Sequence, residues 1–467
     1  MNEKQMAEKM ICETDIERQL LALKQEDAGR VRTVLAKAAL ARGLSDEEVA
    51  VLMSIESPDL AQELFHTASQ VKETIYGKRL VIFAPLYISN LCGNECLYCA
   101  FRARNTAIKR RALSQEEIAH EVKALVEQGH KRVLVVAGES YPKEGFDYVL
   151  KAIETVYSVK SGRGEVRRVN ANVAPLTIDE FKLLKAAKIG TFQLFQETYH
   201  RATYSQMHVS GRKKDYDWRV TAIDRAMTAG INDVGIGVLF GLHNWKFEVL
   251  AMLQHIHHLE REFGVGPHTI SVPRLEPATG SDVASQPPHA VSDDDFRKIV
   301  AILRLAVPYT GIIMSTRENA KMRREGFDLG ISQISAGSRT DPGGYSTDSS
   351  GEVNGQFSLG DHRSLDEVIK DVASLGYIPS FCTGCYRLGR TGADFMDMAK
   401  PGDIKAHCGP NAVSTFAEYL LDYASPQTRE LGFQQIDKVI HDMTGVAKER
   451  AERLVKLVKE GQRDVYC

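Results

Sequence analysis

Six of the eight cysteines in this 467-residue chain fall into two sets of three. The first set occupies one short loop, Ser89-Asn90-Leu91-Cys92-Gly93-Asn94-Glu95-Cys96-Leu97-Tyr98-Cys99. The second, Cys382, Cys385 and Cys408, lies almost three hundred residues downstream. Three thiolates are one short of the number that usually closes a tetrahedral zinc or iron–sulfur site. A four-iron cube held by three cysteines keeps one iron open to a ligand that is not protein, and an open iron is a place for chemistry. A structural zinc knuckle usually draws on paired ligand pairs, which the single triplet of the first loop does not offer. The spacing Cys382-x2-Cys385-x22-Cys408 leaves zinc and iron–sulfur both open. Clusters of this kind in a long chain suggest metal or redox chemistry more than disulfides, whereas Cys12 and Cys467 stand alone and read as incidental thiols.

Bulk composition narrows the partners. With 59 basic and 61 acidic side chains the formal net charge is −2, which argues against nucleic acid or an anionic membrane surface as the main partner. No apolar run approaches the roughly 20 residues that span a bilayer, and Met1-Asn2-Glu3-Lys4-Gln5 lacks a signal-peptide core. The expectation is a soluble, cytoplasmic protein.

The elements that must position these thiols can be read from periodicity. Residues 1–78 carry apolar positions at helical spacing and predict an N-terminal helical extension. Ser45-Asp46-Glu47-Glu48 matches a capping box, and Pro58 follows Ser57 where a helix start tolerates proline. From Leu80 onward short β-rich runs alternate with amphipathic helices. Strands are expected near 80–88, 132–137, 166–172, 191–196, 233–239, 269–273, 311–315 and 330–335. Ser114, Thr177 and Ser364 are each followed three residues later by glutamate, again the capping-box pattern. Eight such units without a phosphate-binding glycine fingerprint predict an α/β fold, a complete (β/α)8 TIM-type barrel over 79–362, in preference to an open doubly wound sheet. The glycine-rich run 336–362 follows the eighth strand and reads either as a plain linker or as a lid on the catalytic face. Residues 363–467 form a mostly helical C-terminal domain that carries the second cysteine set.

In that barrel Cys92, Cys96 and Cys99 lie just past the C-terminal end of the first strand, the edge where barrel active sites are built. With aromatic Tyr98 before the last cysteine, Cys92-x3-Cys96-x2-Cys99 resembles the motif of the radical S-adenosylmethionine (SAM) superfamily. The resemblance implies a [4Fe–4S] cluster on these cysteines, with SAM chelated at the open iron and cleaved to a 5′-deoxyadenosyl radical. The protein then orients and shields the cofactor. The resemblance also implies SAM contacts from Tyr98, from Gly138 and Glu139 at the end of the second strand, from Glu197 at the end of the fourth, and from Arg219. Ala137 replaces the first glycine of the family's Gly-Gly-Glu, and the paired donors of an arginine suit a carboxylate. Gly235 and Gly237 either admit SAM closely or serve packing.

The surroundings of the second set, Cys385-Tyr386-Arg387-Leu388-Gly389-Arg390-Thr391-Gly392 and His407-Cys408-Gly409, sharpen the match. The whole chain closely resembles the HydG family, tyrosine lyases that mature [FeFe]-hydrogenase. That resemblance implies cleavage of tyrosine between Cα and Cβ to p-cresol and dehydroglycine, and conversion of dehydroglycine to CO and cyanide. Both are captured at a second, auxiliary iron–sulfur cluster with an additional labile iron and a free cysteine. It implies tyrosine as substrate, a reductant protein such as ferredoxin or flavodoxin, and other hydrogenase maturation factors as partners. Arg317 and Ser315 at the end of the seventh strand, and Arg274 at the end of the sixth, are the implied tyrosine contacts. His268 is implied as a ligand of the extra iron, although a lone histidine at a strand start also reads as structural. Three alternatives stay open. A ThiH-like tyrosine lyase for thiazole synthesis lacks the second cysteine set. A non-catalytic iron–sulfur scaffold or carrier leaves the SAM-contact pattern unexplained. A radical SAM enzyme could instead use the second cluster for electron transfer or sulfur donation.

Overall fold

The computed structural model describes residues 3–23, 25–346, 354–400 and 403–467. Eight parallel strands, β1 (Arg79–Ser89), β2 (Arg132–Ala137), β3 (Arg168–Asn172), β4 (Phe192–Gln193), β5 (Val234–Gly237), β6 (Thr269–Ser271), β7 (Gly311–Met314) and β8 (Gln333–Ser335), pair in sequence order. β8 pairs back onto β1, with Val81 opposite Gln333 and Phe83 opposite Ser335, and this closes the barrel. Each strand lies where periodicity places it. Along β1 the period of two is plain: Leu80, Ile82, Ala84, Leu86 and Ile88 are sealed against the helices, while Val81, Phe83, Pro85 and Tyr87 face the barrel interior.

Local signals hold the helices as expected. Ser45, Ser114, Thr177 and Ser364 each form a reciprocal capping box with the glutamate three residues on, and Pro58 opens the helix Pro58–Tyr76 at its first turn. The N-terminal helices lie outside the barrel against the helices Trp245–Phe263 and Asp293–Ala306. Among the described residues no helix is long and apolar enough to cross a membrane.

A ninth strand, β9 (Ile378–Ser380), was not anticipated. Three residues including Pro379 carry almost no strand pattern, and proline is confined to sheet edges. β9 runs parallel to the first residues of β1, with Leu80 opposite Pro379, below the point where β2 joins at Ala84. This register ties the C-terminal segment to the N-terminal mouth of the barrel and carries Cys382 there. Two short helices, Gly384–Arg387 and Ala393–Ala399, lead to three longer ones, Lys405–Asp422, Pro426–Asp442 and Gly445–Lys459. Pro410 lies inside the first of these three and cannot donate to the carbonyl of Ala406. The Arg450 Nη1 takes that oxygen at 3.3 Å instead, so the turn carrying Cys408 keeps its backbone partnered.

Candidate active site

The first thiol set is fixed by backbone hydrogen bonds gathered onto a few polar side chains. Asn90 donates to Lys109 O at 2.8 Å and accepts from the Arg111 amide at 2.7 Å, closing the loop on itself. The Arg110 guanidinium sits inside, donating to the carbonyls of Asn90 at 2.9 Å, Phe101 at 2.7 Å and Asn105 at 3.2 Å, and to that of Arg102. Glu95–Cys96 forms a short antiparallel pair with His208–Ser210. The loop rests on Gly138: a Cβ there would stand 2.2 Å from Leu91 O, so only glycine lets the end of β2 approach the cysteine loop.

Cys92, Cys96 and Cys99 open into one cavity over the C-terminal ends of the barrel strands. Burial pushes all three thiols up, Cys99 to about 11 with help from the neighbouring Cys92. Such thiols stay neutral until a metal centre supplies positive charge. Among the described residues no three ligating side chains converge as a single metal ion requires. Thiols spaced around a cavity suit a cluster in which each iron takes one sulfur.

Facing the thiols is a buried charge cluster. Glu139 accepts from Arg219 Nη1 at 2.8 Å and from Asn94 Nδ2 at 2.8 Å. Arg219 is anchored through Nε to Phe195 O at 2.8 Å and lies 3.7 Å from Glu197. Glu197 is itself held by Lys213 at 2.6 Å. Burial alone would raise Glu139, but Arg219, Lys213 and Asn94 bring it below the usual carboxylate value. Glu197 takes φ 71°, a left-handed conformation that costs a non-glycine residue about 1–3 kcal/mol and is found at sites where the backbone must aim a side chain. Tyr98 joins through its hydroxyl, 2.8 Å from His208 Nε2. Because His208 Nδ1 contacts the Tyr204 carbonyl at 2.8 Å, Nδ1 carries the proton and the tyrosine donates to Nε2.

Thus Tyr98, Gly138, Glu139, Glu197 and Arg219 come together at the first thiol set. Asn94, Lys213 and Arg110 were missed. Lys213 belongs to the run Gly211-Arg212-Lys213-Lys214, which in sequence looks like a solvated basic face, yet its side chain is only 10% exposed. Gly235 and Gly237 serve packing: their missing Cβ space is taken by Thr269 Oγ1 at 2.5 Å and by Ser271 O at 2.8 Å.

Ser315 and Arg317 line the same cavity. The Arg317 guanidinium stacks on Phe357, 3.2 Å from its ring centroid, and among the described residues it makes no ion pair. Burial lowers its pKa, and Tyr87, Glu276 and Glu197 oppose that shift only in part. Arg274 is a correction to the sequence reading. It does not line the cavity, because its guanidinium is already committed to Glu318, with Nε at 2.9 Å, and to Asp293 at 2.8 Å. The segment 336–362 is more than a linker at its described ends: Thr340, Gln356 and Phe357 line the cavity. Its residues 347–353 lie outside the described residues.

The second thiol set lies at the opposite mouth of the barrel, beside the first residues of β1, β2 and β6. Cys382, Cys385 and Cys408 share a small cavity with His268, Tyr386, Arg79 and Arg390. Cys385 donates to Cys408, and Arg79, Arg390 and Arg132 add positive charge, so Cys408 is drawn down despite burial. Arg132 Nη2 also holds Cys382 O at 2.8 Å. His268 is kept neutral by burial, with Nδ1 3.3 Å from Asp233 and Nε2 3.5 Å from the Tyr386 hydroxyl. A carboxylate near the far nitrogen of a neutral imidazole resembles the arrangement of a metal-binding histidine, with Nδ1 and Asp233 close but not hydrogen-bonded. Cys467, read as incidental, comes back alongside: Arg390 Nη2 holds its carbonyl at 2.8 Å and Asn411 pairs with its backbone.

Comparison with known proteins agrees with this geometry. The radical SAM superfamily domain matches residues 86–256, and the biotin and thiamin synthesis associated domain matches residues 271–378. The chain is 31% identical to the 2-iminoacetate synthase of Salmonella typhimurium over 352 residues, 75% of this chain and 90% of that protein. Among solved structures it superposes on a crystal structure of HydG, a maturase of the [FeFe]-hydrogenase, with TM-score 0.94 and 47% identity, covering 98% of this chain and 100% of that one. The FeFe-hydrogenase maturase HydG from Carboxydothermus hydrogenoformans matches at TM-score 0.84 and 39% identity, over 96% of this chain and 99% of that one.

Proposed function

Because the chain belongs to the HydG family of radical SAM proteins, we propose that it is a tyrosine lyase. It cleaves Cα–Cβ to give p-cresol and dehydroglycine, and converts dehydroglycine to CO and cyanide for an iron unit used in hydrogenase assembly. A [4Fe–4S] cluster with SAM, held by Cys92, Cys96 and Cys99, would supply the 5′-deoxyadenosyl radical that starts the reaction. The chain's own residues do the positioning. Glu139 and Glu197 offer carboxylates to the SAM amino group, and Arg219, clamped between them, keeps Glu139 ionised and both side chains aimed. Arg317, a buried cation that makes no ion pair among the described residues, takes the tyrosine carboxylate by paired donors, with Ser315 beside it. The Phe357 ring holds the guanidinium in place, and the residues returning after β8 cover the cavity against water.

The observation that carries this reading is the placement of two incompletely ligated thiol sets at opposite mouths of one barrel. One end can make a fragment and the other can trap it. The 2-iminoacetate synthase relatives bear a name that describes dehydroglycine itself, which supports the first half. The second thiol set, with His268 beside it, supports the second half over a ThiH-like enzyme that releases dehydroglycine, and would hold an auxiliary cluster bearing a labile iron. In this reading residues 1–78 brace the barrel, 79–362 carry the radical chemistry and 363–467 carry the trap. A ferredoxin or flavodoxin supplies electrons, and other maturation factors receive the product.

The test is anaerobic turnover of SAM and tyrosine with products identified by mass spectrometry. Deoxyadenosine, p-cresol, CO and cyanide are expected. No p-cresol from protein with both clusters intact would refute the lyase reading. Cys382→Ala with Cys385→Ala should still make p-cresol but no iron–carbonyl product, and persistence of that product would refute the role given to the second set.

A further inference from the structure

Beyond the ligating thiols, one side chain addresses a ligand sulfur from a distant part of the sequence. Gln356 lies on the return arm of the segment after β8. Its amide N donates to Thr340 O at 3.0 Å and its carbonyl accepts from the Ala100 amide at 3.4 Å. Its side chain bridges Tyr87 and the first thiol set, with Oε1 accepting from the Tyr87 hydroxyl at 2.8 Å and Nε2 donating to Cys99 Sγ at 3.8 Å. Tyr87 fixes which way the amide faces: a hydroxyl donating to Oε1 leaves the N–H group on the sulfur side. The reverse orientation would set an oxygen lone pair against a thiolate. The only other donor to this sulfur among the described hydrogen bonds is the Phe101 amide at 3.4 Å.

We infer that Gln356 is a positioning residue that tunes the first cluster, raising its reduction potential by donating to the Cys99 sulfur. This rests on the reading that Cys92, Cys96 and Cys99 hold a [4Fe–4S] cluster. Reduction adds one negative charge that is shared onto the thiolate sulfurs, so a hydrogen bond to sulfur stabilises the reduced state more than the oxidised one. Without the donor the cluster is harder to reduce, and reduction is the step that admits an electron to the site. Gln356 also joins the cysteine loop to the strap whose next residue, Phe357, supports Arg317. Cluster and substrate cation are therefore held by neighbouring side chains.

The experiment is a redox titration followed by electron paramagnetic resonance, on the whole chain carrying Cys382→Ala and Cys385→Ala so that only the first cluster reports. Gln356→Leu is expected to lower the one-electron reduction constant about threefold, a shift of about 30 mV at ~59 mV per decade. Gln356→Glu, which turns a carboxylate toward the sulfur, is expected to lower it further. Phe357→Leu disturbs the same strap without removing a donor to sulfur and should leave the potential in place. An unchanged potential in Gln356→Leu overturns the proposal, and so does an equal shift in Phe357→Leu, which would assign the effect to the strap. Loss of the cluster in both Gln356 variants but not in Phe357→Leu also overturns tuning and assigns Gln356 to cluster retention. No cluster signal in the parent protein would sink the underlying reading instead.

Discussion

Glu248 is 1% exposed on the helix Trp245–Phe263, directly behind the end of β4. Its carboxyl takes the Tyr199 amide at 2.9 Å and the Thr198 hydroxyl, the two residues that follow Glu197 in its left-handed conformation. Burial pushes its pKa up to about 8 against the pull of those two hydrogen bonds. In the unfolded chain the same group ionises near 4.3. Between those values the folded protein holds a proton that the unfolded chain has lost, so stability falls as pH rises. Below the window both states are protonated and the full stability is present. The slope for one proton is about 1.4 kcal/mol per pH unit, so Glu248 makes the protein about 2.7 kcal/mol less stable at pH 7.5 than at pH 5.5. Glu248→Gln keeps the shape, an acceptor for Tyr199 and a donor for Thr198, but does not titrate. Urea unfolding followed by circular dichroism at both pH values should show the variant's stability relative to the parent rising by about 2.7 kcal/mol from pH 5.5 to pH 7.5. Other titrating groups cancel in the difference. An identical difference at the two pH values would show that Glu248 does not titrate in this window and would refute the reasoning.

Three further outcomes are expected. Gly138→Ala places a methyl 2.2 Å from Leu91 O, so the cysteine loop must move; iron analysis should show the loss of one cluster per chain while the helical circular dichroism is kept. Arg317→Met should raise KM for tyrosine by roughly ten- to a hundredfold, from the ~1.5–3 kcal/mol of hydrogen bonds to a charged group, with little change in the unfolding midpoint because Arg317 makes no ion pair among the described residues. Arg274→Met should do the opposite: it strands the carboxylate of Glu318, 2% exposed, at about 3–5 kcal/mol of stability, while steady-state assays show an unchanged KM for tyrosine.

Much of the architecture was legible because it is written in local patterns. Period-two apolar runs such as Leu80–Ile88 give strands, serine or threonine three residues before glutamate gives capped helix starts, and eight such units leave few topologies besides a barrel. The thiol spacing was legible for a similar reason: Cys92, Cys96 and Cys99 share one loop, so their proximity needs no long-range folding. The polar partners of that loop were not. Lys213 in a basic run, Gln356 in a glycine-rich segment and Arg110 in Lys109-Arg110-Arg111 have no sequence pattern that separates a buried donor from a solvated one.

Arg274 and Arg317 make the division sharpest. Both follow barrel strands and both read as clamps for a carboxylate. Only packing shows that Glu318 and Asp293 already neutralise Arg274, whereas Arg317 lies against Phe357 and faces the cavity. The position of the second thiol set was decided in the same way. Sequence alone established two triplets of soft ligands in one chain and a barrel between them. That they occupy opposite mouths follows from the register of β9 on the first residues of β1, a three-residue pairing between segments about three hundred residues apart. Local patterns record what each segment can become; which segments meet is set by the burial and hydrogen-bond pairing of the closed fold.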